Sequence, residues 1–99
     1  LFPYTTLFRS EKEGLSVDVM KSQYSANIIA RAELMGQGFV KAVFHQDLII
    51  GATIVGEHAG DLIAPLALAV SNNMTVNQLR RWVIPHPTLS EIFKPIIGN

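Results

Sequence analysis

The sequence predicts an α+β fold in which helices pack on one antiparallel sheet. Residues 39–55 contain two runs rich in Val, Ile and Phe that are separated only by Gln46-Asp47. This pattern predicts a β-hairpin. Apolar and polar residues alternate before the hairpin, and helical stripes dominate after it. Strands followed by a run of helices are typical of the α+β class.

The segment before the hairpin is expected to contain a strand and a short helix. Alternation of Leu15, Val17 and Val19 with polar neighbours predicts the strand. The following segment is ambiguous, but its apolar residues can form one helical face that ends at Gly36 and Gly38. The residues of this face are Ile28, Ile29, Ala32 and Met35.

Within the hairpin, Val40, Ala42 and Phe44 are expected to share one face of the first strand, because side chains alternate along a strand. Both faces of both strands are largely apolar. We therefore expect the sheet to be covered on both sides.

The first helix after the hairpin is expected to carry an apolar stripe, with Asp61 as its cap. The stripe consists of Leu62, Ile63, Leu66, Ala67 and Val70. A proline inside a helix costs about 3 kcal/mol, so Pro65 predicts a kink or a later helical start.

Two further helical segments follow. Thr75 and Gln78 have the spacing of a capping box, and Leu79, Trp82 and Val83 are expected to face inward after it. The last segment has helical spacing, and Pro95 is expected to end it and leave a loose tail. Its apolar residues are Leu89, Ile92, Phe93, Ile96 and Ile97.

Length and composition restrict the class of protein. The 99 residues correspond to one domain. With 48% hydrophobic and 16% charged residues, part of the apolar surface is expected to meet a partner. A net charge of zero gives no electrostatic reason to expect nucleic acid or an acidic membrane as partner. No apolar run reaches the roughly 18 residues of a membrane span.

The chain contains no cysteine. This excludes disulfides, thiolate catalysis and cysteine-ligated metal within the chain. It also suits a reducing compartment, so the expected location is cytoplasmic.

The first ten residues, "LFPYTTLFRS", differ in character from the rest. They lack the features of a signal peptide, and they resemble the translation of a sequencing-library adapter. We therefore expect residues 1–10 to be non-native and leave them out of the fold prediction. Residues 11–99 are then one domain of a longer protein. The alternative is an ordinary amphipathic N-terminal strand.

The stretch "IPHPTLSEIF" is the candidate for chemistry. A histidine can take and give a proton near neutral pH. Pro85 and Pro87 fix their own φ angles and restrict the backbone at His86. Glu91 can reach back to His86 if a helix starts at Thr88, and such a carboxylate fixes the tautomer of the ring and stabilises the imidazolium.

Spacing alone leaves other interpretations open. Thr88 and Glu91 also fit a capping box, in which Glu91 serves only its own helix. The chain would then be a non-catalytic interaction module. A phosphohistidine carrier centred on His86 is a weaker alternative, because no phosphate cradle is evident.

The other candidate residues favour structural roles. His45 is expected at the surface or an interface, and His58 in a loop. Three scattered histidines make a poor metal site, and no dinucleotide-binding or P-loop motif is present. Arg80 and Arg81 suit a solvated helix face, and Trp82 suits the core or a dimer interface.

Residues 17–93 resemble the C-terminal interface domain of the flavin-dependent pyridine nucleotide-disulfide oxidoreductases. The most specific part is "HPTLSE", residues 86–91, which is similar to the histidine–glutamate motif of dihydrolipoyl dehydrogenases. The segments "SANIIARAELM", "GFVKAVF" and "GATIVGEHAGDLI" precede it in the order of the family. Glutathione and mercuric reductases are similar but differ within the motif, and they remain the alternative relatives.

The resemblance implies a dimerisation domain of the FAD/NAD-linked reductase type that forms a two-fold homodimer. His86 would enter the active site of the other subunit as acid–base catalyst, beside a redox-active cysteine pair, and Glu91 would orient it. His86 and Pro87 would contact the FAD of the partner subunit, and the His86–Pro87 peptide would be cis. The parent enzyme would use FAD and NAD(P) to oxidise a dithiol, whereas the fragment alone would bind no cofactor and be inactive.

Overall fold

The computed structural model describes residues 17–35 and 37–98, and the backbone of residues 4–8. Leu15 and Gly36, which take part in the predicted elements, lie outside the described residues. No helix of the described part is long and apolar enough to cross a membrane.

In the described part of the chain, four antiparallel strands form one sheet in the order β1-β4-β3-β2. The strands are β1 Tyr4–Phe8, β2 Asp18–Gln23, β3 Phe39–His45 and β4 Leu48–Val55. The helices are α1 Ile28–Ala32, α2 Ala59–Ser71, α3 Val76–Leu79 and α4 Lys94–Ile97, with 3-10 turns at Tyr24–Ala26 and Leu89–Phe93. The predicted α+β class, with helices packed on an antiparallel sheet, is confirmed.

The strand β1 lies within the ten residues that were left out of the fold prediction. Its backbone pairs with β4 from Tyr4 opposite Val55 to Phe8 opposite Gly51. Residues 4–8 thus have the conformation of the alternative interpretation, an N-terminal strand. The pairing describes the conformation of these residues and does not test where their sequence comes from. The adapter origin of residues 1–10 therefore stays a prediction.

The predicted hairpin is confirmed. Gln46 and Asp47 have φ angles of 49° and 65°, as a two-residue type I′ turn requires. The register shifts between Val43 and Phe44, where the ladder is irregular. Such a bulge bends the strand and increases its twist.

One face of the sheet carries the core. Val40, Ala42 and Phe44 are at most 3% exposed and share a face, as predicted. On the opposite face Phe39, Lys41 and His45 are half-buried, whereas Val43 is 2% exposed. Within the described residues, the expected cover is therefore complete on one side of the sheet and partial on the other.

The short helix α1 differs from the predicted one. The predicted inward residue Ile28 is 62% exposed, whereas Ala30 is fully buried. Only Met35, at 6% exposure, belongs to the core as expected. Ile28 and Ala32 both lie within the helix, but the helix packs on the core through Ala30 and leaves these two residues exposed.

The helix α2 begins earlier than predicted and passes through Pro65. Its N-cap is His58, so Asp61 lies in the first turn and is not the cap. The helix runs unbroken from Ala59, and the expectation of a later start is wrong. Leu62 and Leu66 are buried, and this tertiary packing stabilises a helix whose intrinsic propensity is lowered by proline.

The predicted capping box of Thr75 and Gln78 is confirmed at α3. Leu79 is 2% exposed, but Val83 is 84% exposed and does not face inward as expected. The helix already ends at Leu79, so the helical period no longer determines the direction of Val83.

Pro95 is the second residue of α4, which begins at Lys94, and does not end a helix. In this first turn a missing N–H costs no helical hydrogen bond. Ile96 and Ile97 are 2% and 1% exposed. The chain end is therefore packed up to Ile97, and the expected loose tail is wrong.

Tyr24 anchors the corner between β2 and α1. Its side chain is fully buried, and its hydroxyl donates to the carbonyl oxygen of Glu57 at 2.6 Å. Its ring lies against Gly56, where a Cβ would stand 2.6 Å from Cζ of the tyrosine. Only glycine fits there, and the φ of +145° also requires it.

Candidate functional site

The segment that links α3 to the turn Leu89–Phe93 carries the predicted motif. Ile84 is 8% exposed and fixes the start of the segment in the core. The hydroxyl of Thr88 donates to the carbonyl oxygen of Pro85 at 2.6 Å and closes the loop over His86. The His86–Pro87 peptide bond is cis, as the resemblance implied.

His86 and Glu91 are in direct contact. The distance from His86 Nδ1 to Glu91 Oε1 is 2.7 Å. Their side chains are 69% and 17% exposed, respectively. The prediction that Glu91 reaches back to His86 is therefore confirmed, and the ring lies at the surface of its own domain.

Glu91 has two further partners. Its Oε1 also accepts the backbone N–H of Thr88 at 3.1 Å, which is the hydrogen bond expected of a capping box. Its Oε2 lies 3.1 Å from Nζ of Lys94. The two interpretations of the motif are thus compatible, because one carboxylate serves both the helix start and the histidine.

The environment of Glu91 favours its ionised form. Desolvation raises its pKa, but the hydrogen bonds from Thr88, Lys94 and His86 lower it, and the net pKa is below the ordinary value of 4.5. At neutral pH Glu91 is therefore a carboxylate, which can only accept hydrogen bonds.

This charge state determines the tautomer of His86. Because Glu91 only accepts, Nδ1 of His86 must carry the hydrogen and donate it. In the neutral ring Nε2 is then a proton acceptor. Within the described residues the ring makes no other hydrogen bond, so Nε2 is available to a group from outside the domain.

An open cleft of about 260 Å³ adjoins the pair. Its walls come from the end of β2, the start of α1 and the motif itself. The lining residues are Ser22, Gln23, Ala26, Asn27, Ile28, His86, Glu91, Ile92, Lys94 and Pro95.

Sequence reasoning missed two residues of this site, Lys94 and Asn27. Lys94 stands three positions after Glu91, a spacing at which helical side chains meet. Asn27 stands directly before α1, in a position typical of an N-cap. Both signals were present in the sequence, but neither points to the histidine without the fold.

The other residues considered for function lie outside the lining of the cleft. His58 is exposed at the N-cap of α2 with a φ of 64°, and His45 ends β3. The ring of Trp82 lies 5.2 Å from that of Phe93 and packs on the core. In the described part of the chain, no three His, Cys, Asp or Glu side chains are placed to hold a metal ion.

Comparison with known proteins gives a consistent result. Residues 6–96 match the family described as "Pyridine nucleotide-disulphide oxidoreductase, dimerisation domain". The chain is 42% identical over 84 residues to dihydrolipoyl dehydrogenase of Synechocystis sp., covering 83% of this chain and 18% of that protein. It is 37% identical over 86 residues to the chloroplastic dihydrolipoyl dehydrogenase 2 of Arabidopsis thaliana, covering 85% and 15%. The chain thus spans less than a fifth of the length of these relatives.

Solved structures share the fold. LpdA from Mycobacterium tuberculosis superimposes with a TM-score of 0.82 at 26% identity, over 96% of this chain and 21% of that one. The HOCl-induced flavoprotein disulfide reductase RclA from Escherichia coli gives a TM-score of 0.84 at 19% identity, over 97% and 23%. The second match shows the fold alone.

Proposed function

The chain belongs to the pyridine nucleotide-disulphide oxidoreductase dimerisation domains, and from this premise we propose that it supplies the acid–base pair of a dihydrolipoyl dehydrogenase-like enzyme. The observation that carries the proposal is the 2.7 Å contact between His86 and Glu91 on an exposed loop. The curated relatives named dihydrolipoyl dehydrogenase support the choice of a dithiol as substrate.

In the proposed reaction, Nε2 of His86 takes the proton of one thiol of the substrate. The resulting thiolate attacks one sulfur of an enzyme disulfide, whose S–S bond breaks, and a mixed disulfide forms. The second substrate sulfur then displaces the enzyme sulfur. The substrate leaves as a disulfide. The enzyme pair takes up both protons of the substrate thiols, one of them returned by His86, and is left as a dithiol. Glu91 stabilises the imidazolium during these steps because it stays a carboxylate.

The exposure of His86 supports action on a site outside its own domain. His86 projects from the surface of its own domain, with 69% of its side chain exposed. The chain has no cysteine, so the reacting disulfide must come from elsewhere. In a two-fold dimer, the same loop of each subunit reaches the same site of the other. We therefore propose a homodimer in which His86 serves the site of the partner.

The exposed residues of the motif could touch FAD at the surface of this domain, but they do not form a pocket that would bind it. His86 and Pro87 are both exposed, and they would touch FAD that is held by other domains of the parent. Bound FAD would supply the two-electron redox chemistry, with NAD(P) as the exchanging nucleotide. Because these domains are missing, the fragment alone is expected to be inactive. We also propose a cytoplasmic location for the parent enzyme, which cell fractionation would check.

The test replaces His86 by Gln in the full-length enzyme. Loss of a general acid–base group lowers turnover by about 10²- to 10⁴-fold, so we expect that loss in the oxidation of dihydrolipoamide by NAD, with FAD retained. His58→Gln is the matched control, because His58 is an exposed histidine outside the lining of the cleft. Wild-type turnover in the His86 variant would remove the catalytic role.

A second candidate function, a non-catalytic interaction module, is favoured by one observation. The hydrogen bond from Thr88 N–H to Glu91 is the one that a simple capped turn requires. In that case Glu91→Gln would lower thermal stability and leave the kinetics of the parent enzyme unchanged. The proposed function predicts instead that the same variant lowers turnover of the dithiol.

A further inference from the structure

Asn27 is a buried amide whose hydrogen-bonding capacity is fully used. Asn27 is 6% exposed. Oδ1 accepts the N–H groups of Ile29 and Ala30, both at 3.0 Å. Nδ2 donates to the carbonyl oxygens of Thr88 and Leu89, at 3.2 and 3.3 Å. An asparagine side chain has two donors and two acceptor sites, and all four are engaged here.

These bonds join two segments that are far apart in the sequence. The acceptor half of Asn27 caps α1, whereas the donor half holds the backbone 61 and 62 residues further on. The carbonyl oxygen of Thr88 accepts the hydrogen bond from Asn27, and the backbone N–H of Thr88 donates to Glu91. Glu91 in turn binds His86. A short series of hydrogen bonds therefore runs from the start of α1 to the imidazole.

Capping alone does not account for an amide at this position. An N-cap needs only an acceptor, which Ser, Thr and Asp supply as well as Asn does. Among these side chains only that of Asn also carries N–H donors. The donors are used on the motif and nowhere on α1.

We propose that Asn27 is a positioning residue, which holds the Thr88–Leu89 backbone and thereby keeps Glu91 and His86 aligned for proton transfer. This role rests on the proposed function of the His86–Glu91 pair. None of the hydrogen bonds of Asn27 goes to His86. Asn27 therefore acts on the imidazole through the backbone of Thr88 and through Glu91.

Three variants of the full-length enzyme separate the capping role of Asn27 Oδ1 from the donor role of Nδ2. Asn27→Ser keeps the capping oxygen and removes both donors. Asn27→Asp also keeps the cap, but it places a carboxylate oxygen against two carbonyl oxygens. Asn27→Ala removes cap and donors together. Thr75→Ala is the control, because it removes the cap of α3, whose side-chain bond runs to Gln78.

Two activities are measured for each variant, together with Tm. Under the proposed function, oxidation of dihydrolipoamide by NAD requires His86, whereas reduction of ferricyanide by NADH involves no dithiol substrate and would not use His86. Misalignment of a catalytic group by about 1 Å can cost up to a hundredfold in rate. We therefore expect kcat for dihydrolipoamide to fall about tenfold to a hundredfold in all three variants, with ferricyanide turnover unchanged. Thr75→Ala should lower Tm without changing either activity.

A purely structural role gives a different result. Loss of the buried hydrogen bonds to Thr88 and Leu89 would then lower Tm in all three variants, while kcat for dihydrolipoamide would keep its wild-type value. That result overturns the positioning role, as does an equal fall of both activities. His86→Gln is measured in parallel: if it loses turnover while Asn27→Ser and Asn27→Asp do not, only the positioning role fails. If His86→Gln keeps turnover, the proposed function fails and the positioning role fails with it.

Discussion

The buried hydroxyl of Tyr24 should make the stability of the domain depend on alkaline pH in a way that Tyr24→Phe abolishes. Burial, with a contribution from the charge of Glu57, raises the pKa of Tyr24 from 10.0 to about 12. The unfolded chain therefore loses this proton before the folded chain does. The stabilisation is complete below pH 10 and is lost as the pH rises from 10 to about 12.

The size of the effect follows from the shift and from one hydrogen bond. Each pKa unit corresponds to about 1.4 kcal/mol, so the full loss approaches about 3 kcal/mol, of which about 2 kcal/mol is reached at pH 11.5. At pH 8, Tyr24→Phe removes the bond to the carbonyl of Glu57, which costs about 1 kcal/mol. The variant should thus be less stable than the wild type at pH 8 and more stable at pH 11.5.

The assay is urea unfolding followed by the fluorescence of Trp82, the one tryptophan of the chain, which packs near Phe93. All other titrating groups are common to both proteins and cancel in the difference. A difference in the free energy of unfolding that keeps the same sign and size at both pH values would refute the raised pKa.

Two further predictions concern Glu91 and the packing of Tyr24. Lys94→Met should raise the pKa of Glu91 in a carboxyl NMR titration, because a hydrogen bond that lowers this pKa is lost. Lys94→Arg keeps a cationic donor and should keep the pKa low. Equal pKa values of Glu91 in the two variants would contradict the role of the positive charge. Gly56→Ala should destabilise the domain by about 3 kcal/mol in urea unfolding, because the Cβ meets the tyrosine ring at 2.6 Å in a strained backbone. Gly60→Ala, where no atom lies within 4 Å, should instead be neutral or stabilise the domain by up to about 1 kcal/mol.

The parts of the fold that were predictable are those with strong local signals. The hairpin followed from two β-rich runs around Gln46-Asp47, and the positive φ angles of both residues are those of a two-residue hairpin turn. The box of Thr75 and Gln78 followed from side-chain spacing. In each case the interactions that determine the structure lie within a few residues.

The errors arose where tertiary contacts decide the outcome. Pro65 lies inside a continuous helix because Leu62 and Leu66 pack on the core. Pro95 lies in the first turn of α4, although as a proline it was expected to end a helix. Val83 lies beyond the end of α3 at Leu79, where helical periodicity no longer predicts a face. Ile28 lies within α1, but this short helix packs on the core through Ala30 instead.

The site was predictable to the extent that it is local. The contact between His86 and Glu91 joins residues five positions apart, and the motif indicated it. Asn27 lies 61 residues from its partner Thr88, so only the fold reveals that it supports the motif.

The most direct test of an imidazole that works in the neighbouring subunit uses mixed dimers of the full-length enzyme. One subunit carries His86→Gln, and the other carries serines in place of its redox-active cysteine pair, so that neither homodimer oxidises dihydrolipoamide. Random reassociation of equal amounts makes half of the dimers mixed, each with one complete site, and should restore about a quarter of the wild-type turnover. If His86 served its own subunit, no mixed dimer would contain a complete site, and the absence of any recovery would contradict the proposed function.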